Sequence, residues 1–240
     1  MVKEFKRPDG RKLTEMRPIK AEVGVVPNAD GSAMFQSGKT IAIAAVYGPK
    51  KMHPQHKQDP STGQLRCEYN MISFSVDDRI RPGRNRRAME ISEITKWALE
   101  PSVMLEKYPN QVVDIHINII QADAGTRCAG INAAAMALAD AGIVMKEMVT
   151  SVSIGKIDDK IVTDIIKEEE DHHEGEGATD IPYTITSNSK AITHLQLDGK
   201  IQVSRFKEAT DAAIKACEKV LDYQIRALKG EKIDETKGKK

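Results

Sequence analysis

The stretch that decides the fold is VDIHINIIQADAGTRCAGINAAAMALA, residues 113–139. In its first part apolar and polar residues alternate, with Val113, Ile115, Ile117 and Ile119 separated by Asp114, His116 and Asn118. This alternation predicts a strand with one buried face. Small residues dominate from Ala129 to Ala139. They predict a helix that packs closely against a neighbour, and Gly142 is expected to end it.

Further strands and helices are predicted on both sides of this stretch. Runs of β-branched and apolar residues predict strands at residues 19–26, 40–47, 64–76, 151–157, 160–166, 181–187 and 191–197. Helical spacing of apolar residues predicts helices at residues 87–99 and 206–228. The second helix is expected to bury one stripe, made of Ile214, Cys217, Leu221, Ile225 and Leu228.

This order of elements predicts the α+β class. Two units of strands and helices are expected to pack together, the first in residues 1–150 and the second in residues 151–228. Residues 229–240 are highly charged and are expected to form a frayed tail.

The composition is that of an ordinary globular protein of 240 residues, with 40% hydrophobic and 30% charged residues. No window approaches the ~18 uninterrupted apolar residues of a membrane-spanning helix. The charged N-terminus lacks the apolar segment of a secretory signal, so no membrane partner is expected. Cys67, Cys128 and Cys217 are widely spaced, which favours free thiols in a cytoplasmic protein over disulfides or a zinc site.

The charges nearly cancel, with 36 Lys and Arg against 35 Asp and Glu, yet they are clustered. Five arginines fall within nine residues, at positions 79, 81, 84, 86 and 87. Seven acids fall within thirteen residues between Glu168 and Asp180. This clustering carries information about binding partners that the net charge of +1 conceals.

Gly125, Thr126 and Arg127 stand at the predicted junction of strand and helix. The first turn of a helix offers unpaired backbone N–H groups and the positive end of the helix dipole, which favour a bound anion. Thr126 adds a hydroxyl donor and Arg127 a charged fork, so the three residues are candidates for a phosphate site. The alternative is a simple N-cap at Thr126 with a solvated Arg127, and the spacing alone favours that alternative.

The arginine cluster leads into the first helix through a Pro-Gly loop. Arginines in such a position can grip successive phosphates of a polymer, and Arg66 can add to them. The alternative is a solvated helix entry with pairs such as Arg86–Glu90. Positive charge at a helix N-terminus opposes the dipole, so local stability does not account for Arg84, Arg86 and Arg87. The binding interpretation is therefore preferred.

The acidic cluster offers carboxylate oxygens that suit a divalent cation such as Mg²⁺. A carboxyl group there could also act as general acid for a leaving oxygen, and Asp180 stands at the start of a predicted strand that can fix it. For Glu168, Glu169 and Glu176 a solvated loop is the preferred interpretation.

Several segments occur in an order typical of a known family. They are RPDGRKLTEMRPI from residue 7, GPKKMHPQH from residue 48, RPGRNRRAMEIS from residue 81, DAGTRCAGINAA from residue 123, and DIIKEEED from residue 164 followed by TDIP. Over roughly residues 7–228 the chain resembles the RNase PH family, and within it the catalytic subunits of archaeal exosome rings. The combination of these segments is specific, although each alone is not.

The resemblance implies the RNase PH fold and a phosphorolytic 3′→5′ exoribonuclease. Inorganic phosphate would attack the terminal phosphodiester of single-stranded RNA and release nucleoside diphosphates, and the reverse reaction would add an RNA tail. In this family, the positions that match Gly125, Thr126 and Arg127 bind phosphate, and those that match Arg66, Arg86 and Arg87 contact RNA. The resemblance also implies a hetero-hexameric ring with a related inactive subunit, and RNA-binding cap proteins on one face.

The resemblance further implies two catalytic aspartates that hold Mg²⁺ or Mn²⁺. The family usually has them six positions apart, whereas Asp171 and Asp180 are nine apart. Aligned without a gap, Glu174 takes the first acidic position instead. Asp180 and Asp171 are therefore predicted as the catalytic and metal-binding pair, with Glu174 as the competitor of Asp171.

Two other functions remain open from the sequence. A homohexameric RNase PH that trims tRNA 3′ ends would use the same chemistry. The displaced acidic spacing also leaves open a ring subunit that binds RNA without catalysis. The retained Thr126-Arg127 and Arg86-Arg87 pairs argue against it.

Overall fold

The computed structural model describes residues 5–83, 85–172, 175 and 177–237. Its helices are α1 (Arg86–Leu99), α2 (Thr126–Asp140), α3 (Lys167–Glu170) and α4 (Val203–Leu228). Its strands are β1 (Ile19–Val23), β2 (Gly31–Ser37), β3 (Thr40–Lys51), β4 (Gln64–Met71), β5 (Gln111–Gln121), β6 (Val149–Ile157), β7 (Lys160–Thr163), β8 (Ala178–Thr186), β9 (Ile192–Leu195) and β10 (Ile233–Asp234). Arg84, Glu174 and Glu176 of the predicted charge clusters lie outside the described residues.

The stretch at residues 113–139 folds as predicted, with β5 followed almost at once by α2. The four apolar side chains of the predicted buried face are at most 1% exposed, namely Val113, Ile115, Ile117 and Ile119. The close packing expected of α2 is also present. A Cβ atom on Gly31 of β2 would lie 2.2 Å from the backbone N of Ala141, just after α2, so that this position accepts only glycine.

The described strands form two sheets, in the orders β10-β1-β2-β3-β5-β4 and β7-β6-β8-β9. All neighbouring strands are antiparallel except β4 and β5. Helix α2 contacts β2 and β3 of the first sheet and β6 of the second, so it forms the shared core between them. Helix α4 packs on β6 and β1, and α1 packs on β4. The predicted α+β class is confirmed.

Helix α4 buries a different face from the one that its large apolar residues predict. The buried residues are Ala209, Ala213, Ala216, Cys217, Val220, Gln224 and Ala227. Of the predicted stripe, Cys217 is buried, whereas Ile225 is 38% exposed. The prediction was wrong because the alanines let α4 approach β6 closely, and fit between the surfaces outweighs the size of single side chains.

The C-terminal segment is not frayed where the structure describes it, so that expectation was wrong up to residue 237. Strand β10 pairs antiparallel with β1, and Ala21 lies opposite Ile233. Ile233 is only 4% exposed. Burial of this apolar side chain among charged neighbours anchors the segment on the first sheet.

Arg7 joins the N-terminal segment to the second half of the chain. Its Nε donates to Oε1 of Glu169 at 2.7 Å, and its Nη2 donates to Oε2 at 2.9 Å. Both side chains are fully buried. Arg7 also donates to the carbonyl oxygens of Thr163 and Asp164. The expectation that Glu169 belongs to a solvated loop was therefore wrong, because a buried arginine neutralises its charge.

Arg17 makes a second buried pair, with Asp164. Its Nε donates to Oδ2 at 2.9 Å, and its Nη2 donates to Oδ1 at 2.6 Å. Ser37 Oγ and the backbone N–H of Arg17 also donate to Oδ2. Burial alone would raise the pKa of Asp164, but the Arg17 guanidinium lowers that pKa to about 2. The pair thus favours the charged carboxylate inside the protein.

We expect the Arg17–Asp164 pair to make stability depend on pH in the acid range. The pKa of Asp164 in the folded chain is about 2, below its ordinary value of 3.8. The stabilisation is therefore complete above about pH 4 and is lost as the pH falls through about 2. The loss should reach about 2 kcal/mol.

Urea unfolding across that range measures this loss. The wild-type chain should have a larger free energy of unfolding than Asp164→Asn, and this difference should shrink as the pH falls. The variant carries no titrating group at position 164, so its stability lacks this contribution. A difference that stays constant with pH would contradict the assignment.

Candidate active site

The loop before α2 is held in a left-handed backbone conformation, with φ of 53° at Ala124 and 62° at Gly125. The Nη1 of Arg17 donates to the carbonyl oxygen of Asp123 at 2.5 Å. Thr40 Oγ1 donates to the carbonyl oxygen of Ala124 at 2.8 Å. The predicted phosphate loop is therefore fixed by the same arginine that pairs with Asp164.

Thr126 is the first residue of α2, and Gly125 occupies the N-cap position. The interpretation of Thr126 as an N-cap was therefore wrong. Thr126 is 6% exposed, and its hydroxyl lies beside that of Tyr69 on β4. The Thr126 hydroxyl is thus available for a role other than capping.

Tyr69 is the point at which two predicted clusters meet. Burial raises the pKa of Tyr69, whereas the Thr126 hydroxyl and the positive charges of Arg87 and Arg127 lower it. Arg87 belongs to α1 and Arg127 to α2. The structure therefore brings an arginine predicted to bind RNA close to the residues predicted to bind phosphate.

Arg127 is half-buried and is anchored from the second sheet. Its Nη1 donates to Oε1 of Gln196, which follows β9. Its positive charge also acts on His194 of β9, where burial first and then Arg127 lower the pKa to about 4. His194 is consequently neutral near pH 7 and does not compete with Arg127 as a cation.

Arg86 and Arg87 form the exposed first turn of α1. Asn85 is the N-cap, and its side chain accepts a hydrogen bond from the backbone N–H of Ala88 at 2.7 Å. The cap fixes the start of the helix without using either arginine. Both guanidinium groups are therefore presented to solvent at this end of α1.

Arg66 lies on β4 at a groove of about 700 Å³ that runs between β4, β5 and α1. Its guanidinium makes a bidentate pair with Asp114 of β5, at 2.6 and 2.9 Å. Lys50 contacts the same carboxylate at 2.7 Å. The side chains of Arg66 and Lys50 are each 51% exposed. The pairing with Asp114 holds the Arg66 guanidinium at the groove, and Lys50 contacts the same carboxylate.

Asp180 lies near the start of β8 in a small cavity of about 370 Å³ that Glu170 and Asp198 also line. Its Oδ1 accepts a hydrogen bond from Ser153 Oγ at 2.5 Å. Burial is the main reason that the pKa of Asp180 is raised. The charges of Glu170 and Asp198 raise it further, whereas Ser153 and Arg127 lower it. Asp180 is thus within the electrostatic reach of the predicted phosphate-binding arginine.

The other predicted acids lie differently. Asp171 points to Lys167, with 2.8 Å between Oδ1 and Nζ, and both side chains are 56% exposed. Glu170, the residue before Asp171, lines the Asp180 cavity instead. Glu174 lies outside the described residues. Within the described part of the chain, no three His, Cys, Asp or Glu side chains converge closely enough to form a metal site.

Some residues of this site were missed in the sequence. They are Ser153 on β6, Gln196 after β9, and Asp198. Strand pairing brings them to the site, since β6 and β9 both pair with β8 and an isolated bridge joins Asp180 to Asp198. No local pattern marks them. Arg7 lies in the RPDGR segment, which the resemblance to the family had already singled out. That segment does not indicate that Glu169 is its ion-pair partner.

Gly125 provides a test of the loop. An alanine there would be strained by the positive φ, and its Cβ would lie 3.2 Å from Nη2 of Arg17. We expect Gly125→Ala to weaken inorganic phosphate binding about tenfold or more, because the loop and Arg17 must shift. Calorimetric titration with phosphate measures the effect.

Gly142 offers the matched control. It also has a positive φ, of 70°, but no atom lies within 4 Å of an added Cβ. Gly142→Ala should lose a similar amount of stability while retaining phosphate affinity. Equal losses of phosphate affinity in both variants would show that the strain acts on the whole fold rather than on the loop.

Comparison with known proteins agrees with this architecture and places the chain in a family. The chain is 50% identical over 224 residues to the exosome complex component Rrp41 of Thermococcus kodakarensis, a match that covers 93% of this chain and 88% of that protein. It is 48% identical over 223 residues to the component of the same name from Methanopyrus kandleri, covering 93% of this chain and 92% of that protein.

A crystal structure of rice (Oryza sativa) Rrp46 has the same fold, with a TM-score of 0.82 at 21% identity, over 93% of this chain and all of that one. The family model of domain 1 matches residues 15–144, and that of domain 2 matches residues 147–216. The chain therefore belongs to the RNase PH, or 3′ exoribonuclease, family.

Proposed function

We propose that this chain is a phosphate-dependent 3′→5′ exoribonuclease and the catalytic subunit of an exosome ring. Inorganic phosphate attacks the last phosphodiester of single-stranded RNA and releases a nucleoside diphosphate, and the reverse reaction extends RNA. One observation carries the proposal. Arg127 acts electrostatically both on Tyr69, which Arg87 also reaches, and on Asp180. Groups suited to RNA, phosphate and proton transfer therefore lie within the electrostatic reach of one guanidinium or of the tyrosine that it acts on.

The chemistry asks the protein mainly to position two anions that repel each other. Gly125 and the first N–H groups of α2 suit the attacking phosphate, and Arg127 can pair with its oxygens. Gln196 already holds the Nη1 of Arg127, so the guanidinium loses little further conformational entropy when it binds the phosphate. Fixed positive charge at the point of attack lowers the barrier.

Asp180 supplies the proton for the leaving 3′ oxygen in this proposal. Its pKa is raised by burial and by Glu170 and Asp198, so a larger fraction of the carboxyl is protonated near neutral pH than for an exposed aspartate. When the bond to the leaving oxygen breaks, the proton of Asp180 passes to that oxygen. Arg127 then stabilises the carboxylate that remains.

We propose that a divalent cation, Mg²⁺ or Mn²⁺, binds at the same cavity. Asp180 shares it with other carboxylates whose negative charges raise its pKa, and a hard cation would relieve that repulsion. We propose Asp180 and Asp171 as its protein ligands, with the Asp171 side chain turning from Lys167 toward the cavity, which it does not line in this structure. The pair of Asp171 with Lys167 is exposed and contributes little, so a cation can replace Lys167. The cation would neutralise charge on the phosphate oxygens when bound.

The RNA path follows the positive groups outside the cavity. Arg86 and Arg87 at the start of α1 and Arg66 along the groove suit successive backbone phosphates. Arg66 faces solvent, and its pair with Asp114 fixes the direction of the fork. We propose that single-stranded RNA enters along this groove toward Arg127.

We propose a ring in which this chain alternates with a related inactive subunit in a hexamer, with RNA-binding cap proteins on one face. Large apolar side chains are exposed on α1 and β9, including Trp97 at 60% and Ile192 at 53%. Contact with a neighbouring subunit would cover such residues. We also propose a cytoplasmic location, since the free thiols of Cys67, Cys128 and Cys217 suit a reducing compartment.

The activity is tested by purifying the chain alone and together with its related ring subunit. Each preparation is incubated with poly(A), inorganic phosphate and Mg²⁺, and ADP is measured. We expect the reconstituted ring to release ADP only when phosphate is present. Release of AMP without phosphate would indicate hydrolysis, and no phosphate-dependent ADP would refute the proposal.

Substitution of the acids assigns their roles. Asp180→Asn should abolish turnover and leave RNA binding intact, because it removes the proton donor without changing the arginines. Asp171→Asn should raise the Mg²⁺ concentration needed for half-maximal activity, whereas Glu170→Gln should change it less. The opposite order would transfer the role of the second acid to Glu170.

The RNA path is tested by reversing charge at the start of α1. Arg86→Glu combined with Arg87→Glu should weaken RNA binding at low salt and flatten its dependence on salt, since fewer counterions are released. Lys215→Glu combined with Lys219→Glu makes the same change of charge at exposed positions of α4. Equal losses in both double variants would point to net charge and against a specific path.

A further inference from the structure

Ser153 stands between the phosphate loop and the catalytic acid. It lies on β6 and is 2% exposed, and its hydroxyl donates to Oδ1 of Asp180 at 2.5 Å. On its other side, its Cβ lies 3.8 Å from where a Cβ on Gly125 would be. One buried hydroxyl thus touches the acid while its side chain adjoins the loop that precedes Arg127.

The backbone of Ser153 is fixed independently of its hydroxyl. Its carbonyl oxygen accepts a hydrogen bond from the backbone N–H of Asp164 at 2.8 Å. The side chain of Asp164 pairs with Arg17, and Arg17 in turn holds the carbonyl oxygen of Asp123. A displacement of Ser153 relative to the phosphate loop would therefore strain a chain of buried contacts.

Asp180 needs such a fixed donor because its surroundings push its carboxylate in different directions. Glu170 and Asp198 repel it, and Arg127 attracts it. The bond to Oδ1 fixes the orientation of the carboxylate among these charges. With Oδ1 engaged by Ser153, Oδ2 is the oxygen left for the reaction.

We propose that Ser153 is a positioning residue for phosphorolysis, which holds the Asp180 carboxylate at a set distance from the phosphate loop. This inference rests on the proposed function. Ser153 acts through Asp180, because its hydroxyl bonds to Oδ1 of that residue and its side chain is buried. Loss of its hydroxyl therefore reduces the rate of the chemical step, and binding of both substrates is retained.

The test uses the reconstituted ring with poly(A) and phosphate. We expect Ser153→Ala to lower kcat about 10- to 100-fold, as for loss of a hydrogen bond to a charged group. The KM for phosphate and the Kd for RNA should stay within about twofold of the wild-type values. Ser153→Thr keeps the hydroxyl and should restore most of kcat.

Ser151→Ala is the matched control. Ser151 precedes Ser153 by two residues on β6, is 2% exposed, and bonds through its hydroxyl to Thr184 rather than to Asp180. It should lose comparable stability and keep kcat. The melting temperature of every variant is measured alongside.

Three results would overturn the inference. They are an unchanged kcat in Ser153→Ala, an equal loss of kcat in Ser151→Ala, and a failure of Ser153→Thr to restore kcat while its melting temperature matches that of the wild type. A wild-type ring without phosphate-dependent activity would instead refute the proposed function, so the two failures are distinguishable.

Discussion

Arg17 and Asp164 form an ion pair that is closed off from water and shared by both halves of the molecule. Arg17 precedes β1 of the first sheet, and Asp164 follows β7 of the second. The same guanidinium holds the loop before α2, and the backbone of Asp164 holds Ser153. Breaking one partner of such a pair leaves a buried charge without compensation, which is far more costly than losing an exposed pair. This buried pair therefore contributes directly to the relative position of the phosphate loop and the acidic cavity.

The near-zero net charge of the chain has a structural meaning in this arrangement. Arginines at the start of α1 and along the groove face solvent, whereas Arg7 and Arg17 of the N-terminal segment pair with buried carboxylates. Arg7 neutralises Glu169 immediately beside Glu170, so the acidic segment reaches the Asp180 cavity with part of its charge already compensated.

Local pattern was enough to predict much of the fold. The alternation in β5 and the small residues of α2 leave few structures open, and both elements form where the sequence predicts them. The face of α4 was predicted wrongly, because burial of its alanines depends on the surface of β6. The pairing of β10 with β1 also depends on distant residues, and a short charged segment gives no sign of it.

The candidate site residues came from the resemblance to the family, whereas the residues that surround them are known only from the tertiary structure. Arg127, Arg87 and Asp180 were identified from the sequence, but their convergence depends on Tyr69 and on the packing of both sheets around α2. Ser153 and Gln196 were missed because a serine or a glutamine near a strand has no distinctive pattern. Glu169 was misread because a run of acids looks solvated until its buried arginine, 162 positions away, is known.

The last described strand has a consequence for how the molecule can be divided. Arg7 and Arg17 precede the first sheet and pair with Glu169 and Asp164, which belong to the second half of the chain. After the second sheet, α4 leads to β10, which forms the edge strand of the first sheet. Each half is thus closed by a segment that belongs, in chain order, to the other. Neither half is a module that can be cut out or exchanged alone, and an evolutionary or engineered recombination must carry the N-terminal clasp and the C-terminal strand together.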